Sequence, residues 1–183
     1  MRRNAGEKKM KNNKPLVVSI LGWSNSGKTT LIEAAIAECA RRGISTAALK
    51  KSHNAASLQP DSKDSSRFRQ AGADPSIYLS GHDMLILRKA PAWIDKDVIA
   101  ALCPEASIVF CEGLEVDCSL RVLATGDETD ETALKRRLTD IDILIARNAT
   151  MIKLAIDRNV KTFKPEDVGS FIDHLIAQED FHG

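Results

Sequence analysis

The sequence predicts an α/β protein: a mostly parallel sheet with helices on both faces and an inserted antiparallel hairpin. Three observations lead there. Short β-rich runs alternate with stretches of helical periodicity along the 183 residues, which is the trace that βαβ units leave in a chain. A glycine-rich turn, GWSNSGKTT at 22–30, comes directly after the apolar run LVVSIL. Further along, SIYL and MLILR flank Ser80-Gly81-His82-Asp83, a hairpin signal. The composition agrees, since 43% hydrophobic but only 4% aromatic residues make an aliphatic core.

Along the chain, Leu16–Leu21 reads as a strand, Lys28–Arg42 as a helix closed by Gly43, and Ile44–Leu49 as a second strand. A polar stretch, KKSHNAASLQPDSKDSS, is a loop leading into a short helix that ends at Gly72. After the hairpin, Ala92–Leu102 is helical, Ser107–Cys111 and Leu120–Ala124 are strands, Glu128–Leu138 is a helix, and Ile141–Ala146 is a strand. Lys153–Ile156 is the expected last strand, and Pro165–Ala177 a closing helix with proline in its first turn. Residues 15–183 are expected to form one domain, of the usual size of about 100–200 residues.

Residues 1–14, MRRNAGEKKMKNNK, hold six Lys/Arg and one Glu, so +5 against +1 overall, leaving −4 for the rest. This basic, nearly apolar-free start reads as a disordered, solvated tail rather than a nucleic-acid or membrane contact. No run approaches the roughly 18 apolar residues of a membrane span, and no apolar segment of signal-peptide length comes after the charges. A soluble, cytoplasmic protein is expected. Four cysteines, at 39, 103, 111 and 118, include no C-x-x-C pair; they read as reduced and structural. A zinc site would need ligands such as His53 or His82 brought in from elsewhere.

The turn at 22–30 matches G-x-x-x-x-G-K-[ST], the Walker A pattern, at Gly22, Gly27, Lys28 and Thr29. Glycines let the backbone turn tightly, so that successive N–H groups from Gly22 through Ser24, Asn25, Ser26 and Gly27 face phosphate oxygens. The helix beginning near Lys28 adds its N-terminal dipole. Lys28 supplies a point charge for the β- and γ-phosphates, the Thr29 hydroxyl a ligand for Mg²⁺, and Thr30 a contact to the α-phosphate. A glycine-serine β–α turn without ligand is the bland reading. Strand before and helix after are the context the motif requires, which places this chain in the three-layer P-loop NTPase class.

Such a site needs an acid at the end of a neighbouring strand. SIVFCEGLE offers Glu112, placed to hold Mg²⁺ through water or to orient an attacking water. A strand-end acid that only faces solvent is the alternative. Asp61 and Asp64, in the loop after the second strand, are further candidates, equally suited to capping the short helix. His53 and the lysines at 50, 51 and 63 give the same loop a cationic mouth suited to an anion, although each alone is an ordinary solvated residue. Asn148 and Asp157 are read as standing after late strands and as able to meet a base.

Taken together, GWSNSGKTTL, ALKKSHN, PDSKDSSRFRQAGA and VFCEGL resemble the molybdopterin-guanine dinucleotide biosynthesis B (MobB-type) family, over roughly residues 15–115. The resemblance implies Lys28 and Thr29 as phosphate and Mg²⁺ residues, with Asp61, Lys63, Asp64 and Glu112 completing the site. It implies GTP binding with weak hydrolysis and a homodimer built partly on the hairpin. It also implies partnership with the guanylyltransferase that attaches GMP to molybdopterin. The chain departs from the family pattern at Ser62, at Lys51-Ser52, and at Leu114-Glu115 after the Glu-Gly pair. A small-molecule kinase and a metal-insertion GTPase are the alternatives on the same loop; the first calls for an arginine-rich lid, the second for a Cys-His pair near the loop.

Overall fold

Among the described residues, no strand is more completely buried than the run LVVSIL. All six residues of β1 (Leu16–Leu21) are inaccessible, as expected of a strand flanked on both edges and covered on both faces. In the computed structural model, which describes residues 14–52, 63–117, 120–126, 129–178 and 181 (63–66 by backbone only), β1 lies between β5 (Ile108–Glu112) and β6 (Leu120–Ala124). Outside these lie β2 (Thr46–Lys50), β7 (Ile143–Ile145) and β8 (Lys161–Phe163). The order is β2-β5-β1-β6-β7-β8, with every neighbouring pair parallel. Because the chain turns to one side of β1 for β2 and β5 and to the other for β6–β8, the carboxyl end of β1 is a topological switch point, the place where open α/β sheets hold ligands.

The sheet belongs to the first of two compact units, built from residues 1–51 and 95–183. On one face Leu16, Val18 and Ile20 pack with Leu31, Ile32, Ala35 and Cys39 of α1 (Lys28–Arg41) and with Phe171, Ile172 and Leu175 of α6 (Val168–Ile176). On the other, Leu21, Leu123 and Leu144 pack with Leu134 of α4 (Glu131–Arg137) and with Met151 and Ala155 of α5 (Ala149–Ile156). That is the three-layer arrangement expected. The connection from β5 to β6 carries a tether: the hydroxyl of buried Ser19, mid-strand in β1, donates to the Leu114 carbonyl. Cys39 and Cys111 lie in the core, Cys118 falls outside the described residues, and no metal-ligating cluster exists among the described residues. No described helix is long and apolar enough to cross a membrane.

The second unit, residues 52–94, contains α2 (Lys63–Gln70) and the hairpin of β3 (Ser76–Ser80) and β4 (Asp83–Leu87). The strands pair antiparallel from Ser76↔Leu87 to Ser80↔Asp83, around Gly81 at φ 55°, a value that glycine adopts without strain. Ile77, Leu79, Met84 and Ile86 of the hairpin are exposed. Of the basic tail, 1–13 lie outside the described residues; Lys14 pairs with Asp97 at 2.7 Å.

Three element readings are corrected. Residues 153–156 belong to α5, not to a strand. The Asn148 side chain accepts from the N–H groups of Thr150 and Met151, and the buried pair Met151 and Ala155 is spaced i, i+4, so the helical period prevails over a short β-like run. The last strand is β8, after the left-handed Asn159 (φ 58°) has closed α5. Pro165 does not start α6. It occupies the second position of a turn closed by Asp167 N–H to Lys164 C=O at 3.0 Å, a position that suits its fixed φ. The helix over 92–102 begins only at Lys96, because the Asp95 carboxylate caps it through Val98 N–H.

The α1–α6 contact is fastened by charge. Glu38 accepts from Arg41 and Arg42, and Arg42 reaches across to Asp173 and to the Gly169 carbonyl. Hydrogen bonds from Arg41, then Arg42, hold the Glu38 carboxyl down at about 2 from 4.5. A carboxyl depressed on folding stabilises above its unfolded value and loses that contribution as pH falls toward its folded one. Glu38→Gln is therefore expected to lower the melting temperature at neutral pH, with a gap to the parent that narrows from about pH 4.5 to pH 2, read by thermal melts across that range.

Candidate functional site

β1 delivers the chain into the turn through Gly22, whose φ of 149° few other residues adopt. Space forbids a side chain as well: a Cβ there would stand 2.4 Å from the Ala124 carbonyl oxygen and 2.5 Å from Ser26 Oγ. Asn25 (φ 59°) and Gly27 (φ 81°) supply the remaining left-handed steps. The result is a loop that wraps back and starts α1 in one move, with Leu31 N–H closing the first helical bond on the Gly27 carbonyl at 2.9 Å. Neither Gly27 nor any side chain caps this helix, and its first turn contains no acid. By contrast α3 (Lys96–Leu102), α4 and α5 are capped by Asp95, Asp130 and Asn148. The first N–H groups of α1 thus lack intrahelical partners, and with the dipole behind them they form a candidate site for an anion.

Lys28 stands in that first turn, and its ammonium donates to the carbonyls of Gly22 (3.1 Å) and Trp23 (2.5 Å). Thr29 Oγ1 donates to Glu112 Oε2 at 2.9 Å. Glu112 is the last residue of β5, in register with Ile20 of β1 on one side and Lys50 of β2 on the other. Lys50 Nζ meets Glu112 Oε1 at 2.9 Å, and only 13% of the Glu112 side chain is exposed. Burial acts to raise this carboxyl's pKa, but hydrogen bonds from Lys50 and Thr29 and the charges of Lys50 and Lys28 outweigh it, so the group is held ionised below its ordinary range. An ionised carboxylate bonded to a threonine hydroxyl beside an uncapped helix start is a pair of hard oxygen donors of the kind Mg²⁺ takes next to bound phosphates. Two further features fit a ligand that lies against the loop. Ser26 Oγ is buried without a partner among the described residues, and Gly126 leaves the loop bare where a Cβ would come within 3.3 Å of Asn25 O and Ser26 Cα.

Gly22, Ser24, Asn25, Ser26, Gly27, Lys28, Thr29 and Thr30 are therefore gathered in one loop and helix start, with Glu112 brought to Thr29. His53 and Asp61 lie outside the described residues; Lys63 and Asp64 open α2 in the second unit. Lys50 is not a loop cation. It ends β2 and is bound to Glu112, a pairing set by sheet register and invisible in the linear sequence. Asp157 ends α5, eight residues and about 12 Å of helix away from the strand ends that carry the loop. Asn148 does reach the neighbourhood, lining a cavity beside the loop with Thr125, Arg147 and Glu166. Thr125 and Arg147 carry no signal in the sequence beyond their place after predicted strand ends, and Glu166 falls within the helix expected from Pro165.

A family model for molybdopterin guanine dinucleotide synthesis protein B (MobB) matches residues 17–149. The chain belongs to the MobB family. It is 28% identical over 175 residues to the molybdopterin-guanine dinucleotide biosynthesis adapter protein of Haemophilus influenzae, with 94% of each chain covered. Its fold is shared with the crystal structure of Bacillus subtilis MobB (TM-score 0.62, 17% identity, 92% of this chain and 99% of that one). The MobB homologue of Bacillus stearothermophilus is similar (TM-score 0.60, 17% identity, 88% and 99%). At that identity the solved structures establish the fold alone, and the family match runs from β1 past Glu112 to the first residue of α5.

Two outcomes are expected at this site. Lys28→Ala should weaken nucleotide binding at least about tenfold, because a charge-assisted hydrogen bond contributes about 1.5–3 kcal/mol; titration calorimetry on protein with unchanged circular dichroism reads it. Glu112→Gln keeps the size and removes the charge, so it should raise the Mg²⁺ concentration needed for half-maximal binding while leaving metal-free nucleotide affinity within about threefold. A metal dependence identical to the parent's would make Glu112 a bystander.

Proposed function

We propose that this MobB-family protein is a GTP-binding adapter of molybdopterin-guanine dinucleotide synthesis, serving the guanylyltransferase that joins GMP to molybdopterin. The observation that carries the reading is the uncapped start of α1 with Lys28 in its first turn and the Thr29–Glu112 pair beside it. Family membership supplies the biosynthetic context. When bound, Mg²⁺ would be held by Thr29 and Glu112, with Asp61 and Asp64 as further acids, and it would supply charge neutralisation at the phosphates. His53 and Lys63 belong to the same reading as contacts of the anionic ligand.

Slow hydrolysis of GTP is part of the proposal. Arginine fingers add roughly 10³–10⁵ in rate, whereas the described cations around the loop are already engaged: Lys28 with two carbonyls, Lys50 with Glu112, Arg147 with Glu166. A homodimer using the hairpin is also proposed, supported by exposed Ile77, Leu79, Met84 and Ile86. Apolar patches of that kind mark association surfaces.

Reconstitution tests the whole. With purified guanylyltransferase and molybdopterin, dinucleotide cofactor should form several-fold faster when this protein and GTP are added, and Lys28→Ala should abolish the gain. Absence of stimulation, together with multiple-turnover phosphorylation of a metabolite, would make the protein a small-molecule kinase instead.

A further inference from the structure

On the side away from Glu112 the phosphate loop opens into a cavity of about 320 Å³, within the usual range of about 300–1,000 Å³ for small-molecule sites. Its near wall is the loop and Thr30; its far wall is made by the ends of β7 and β8. Those two ends are tied by the hydrogen bond from Ala146 N–H to the Phe163 carbonyl, 3.1 Å, which fixes Arg147 and Asn148 opposite the Pro165–Glu166 turn. A ligand whose phosphates lie on the α1 start has this cavity as the adjoining place for the rest of the molecule.

The polar groups of the far wall are of unequal use. Asn148 Oδ1 is committed to capping α5 through Thr150 N–H (2.9 Å) and Met151 N–H (3.2 Å), so the side chain keeps only its two amide donors. The Thr125 hydroxyl donates to the Ile145 carbonyl at 3.2 Å. Among the described residues that line the cavity, Glu166 is the one carboxylate. It sits at the third position of the turn that Pro165 rigidifies and Asp167 closes, and Arg147 Nε stands 3.4 Å from its Oε2. A carboxylate accepts hydrogen bonds and donates none.

From this arrangement we infer, resting on the nucleotide-binding reading above, that the cavity takes the purine base and that Glu166, steadied by Arg147, selects guanine over adenine. Guanine presents two adjacent donors, N1–H and the 2-amino group, and a carboxylate satisfies both. Adenine presents a lone pair at N1 and no 2-amino group, so the same carboxylate meets an acceptor and gains nothing. The Asn148 amide donors suit the O6 and N7 acceptors of guanine. Sites built to pair a donor reject analogues that lack it. Because 55% of the Glu166 side chain is exposed, water shares the carboxylate and the discrimination is expected to be about 10–100-fold rather than larger.

Calorimetric titration of the full chain with Mg-GTP, Mg-ITP (guanine without its 2-amino group) and Mg-ATP tests this. The parent is expected to bind GTP about 10–100-fold more tightly than ATP, with ITP between them. Glu166→Ala should lose most of that preference by weakening GTP while ATP affinity stays within about threefold, and Glu166→Gln, whose amide can donate to adenine N1, should narrow it as well. Arg147→Ala should give a smaller loss of preference, as befits a positioning residue. An unchanged GTP-to-ATP ratio in Glu166→Ala, with an unchanged melting curve, overturns the assignment of Glu166 alone. Equal affinity of the parent for all three overturns guanine selection by this cavity. Failure of the parent to bind any of them, by contrast, overturns the phosphate-loop reading and this inference with it.

Discussion

The structure depends on one close approach. At Gly22 the backbone leaves β1 at a positive φ with the Ala124 carbonyl so near that no side chain could stand between them. This lets the loop fold back against β6 and release α1 with its N-terminus uncapped. A bulkier residue would push the loop off β6, and the helix start would no longer point at the switch point of the sheet. An uncapped, acid-free helix start is costly to leave without partners, and this helix is long enough to be stabilised elsewhere. Its apolar stripe of Leu31, Ile32, Ala35 and Cys39 lies on β1, and Glu38 and Arg42 fasten its far end to α6. Stability is supplied away from the loop, and the loop is left available for a ligand.

Glu112 is the second junction. Its place at the end of β5 puts it between Ile20 and Lys50 in the ladder, so three strands meet at one carboxylate, and Thr29 of α1 completes the group. Register in a parallel sheet is set by which residues are buried. The fully buried runs of β1 and β5 thus determine, from the interior, that this acid faces this hydroxyl. A shift of one residue in β5 would turn the carboxylate to the other face of the sheet.

The edge of the sheet beyond β6 is built differently. β7 and β8 are three residues each, and local devices position the chain beyond their carboxyl ends: Asn148 capping α5, and the Lys164–Asp167 turn with Pro165 inside it. These small motifs bring Arg147 and Glu166 within reach of each other although nineteen positions separate them. They give the cavity beside the phosphate loop a charged far wall on an otherwise aliphatic sheet.

Much of the fold was legible in the sequence, as were those residues of the candidate site that are adjacent in the chain. The glycines, Lys28 and Thr29 carry a local meaning, because a phosphate loop is made by consecutive residues whose backbone angles are dictated by their own side chains. The same holds for the hairpin around Gly81 and for Glu112 as a strand-end acid with Gly113 after it. Besides the start of α3, which falls at Lys96, what the sequence misjudged were the weakly periodic stretches after residue 140. There, four residues such as 153–156 suit either a strand or a helix, and the deciding facts, the Asn148 cap and the burial of Met151 and Ala155, are tertiary. Pairings between strands were likewise out of reach. That Lys50 binds Glu112, that Asp157 lies at the far end of a helix, and that Glu166 faces the loop across a cavity are consequences of sheet order and register. These are chosen by the packing of the whole core and not by the residues that end up in contact.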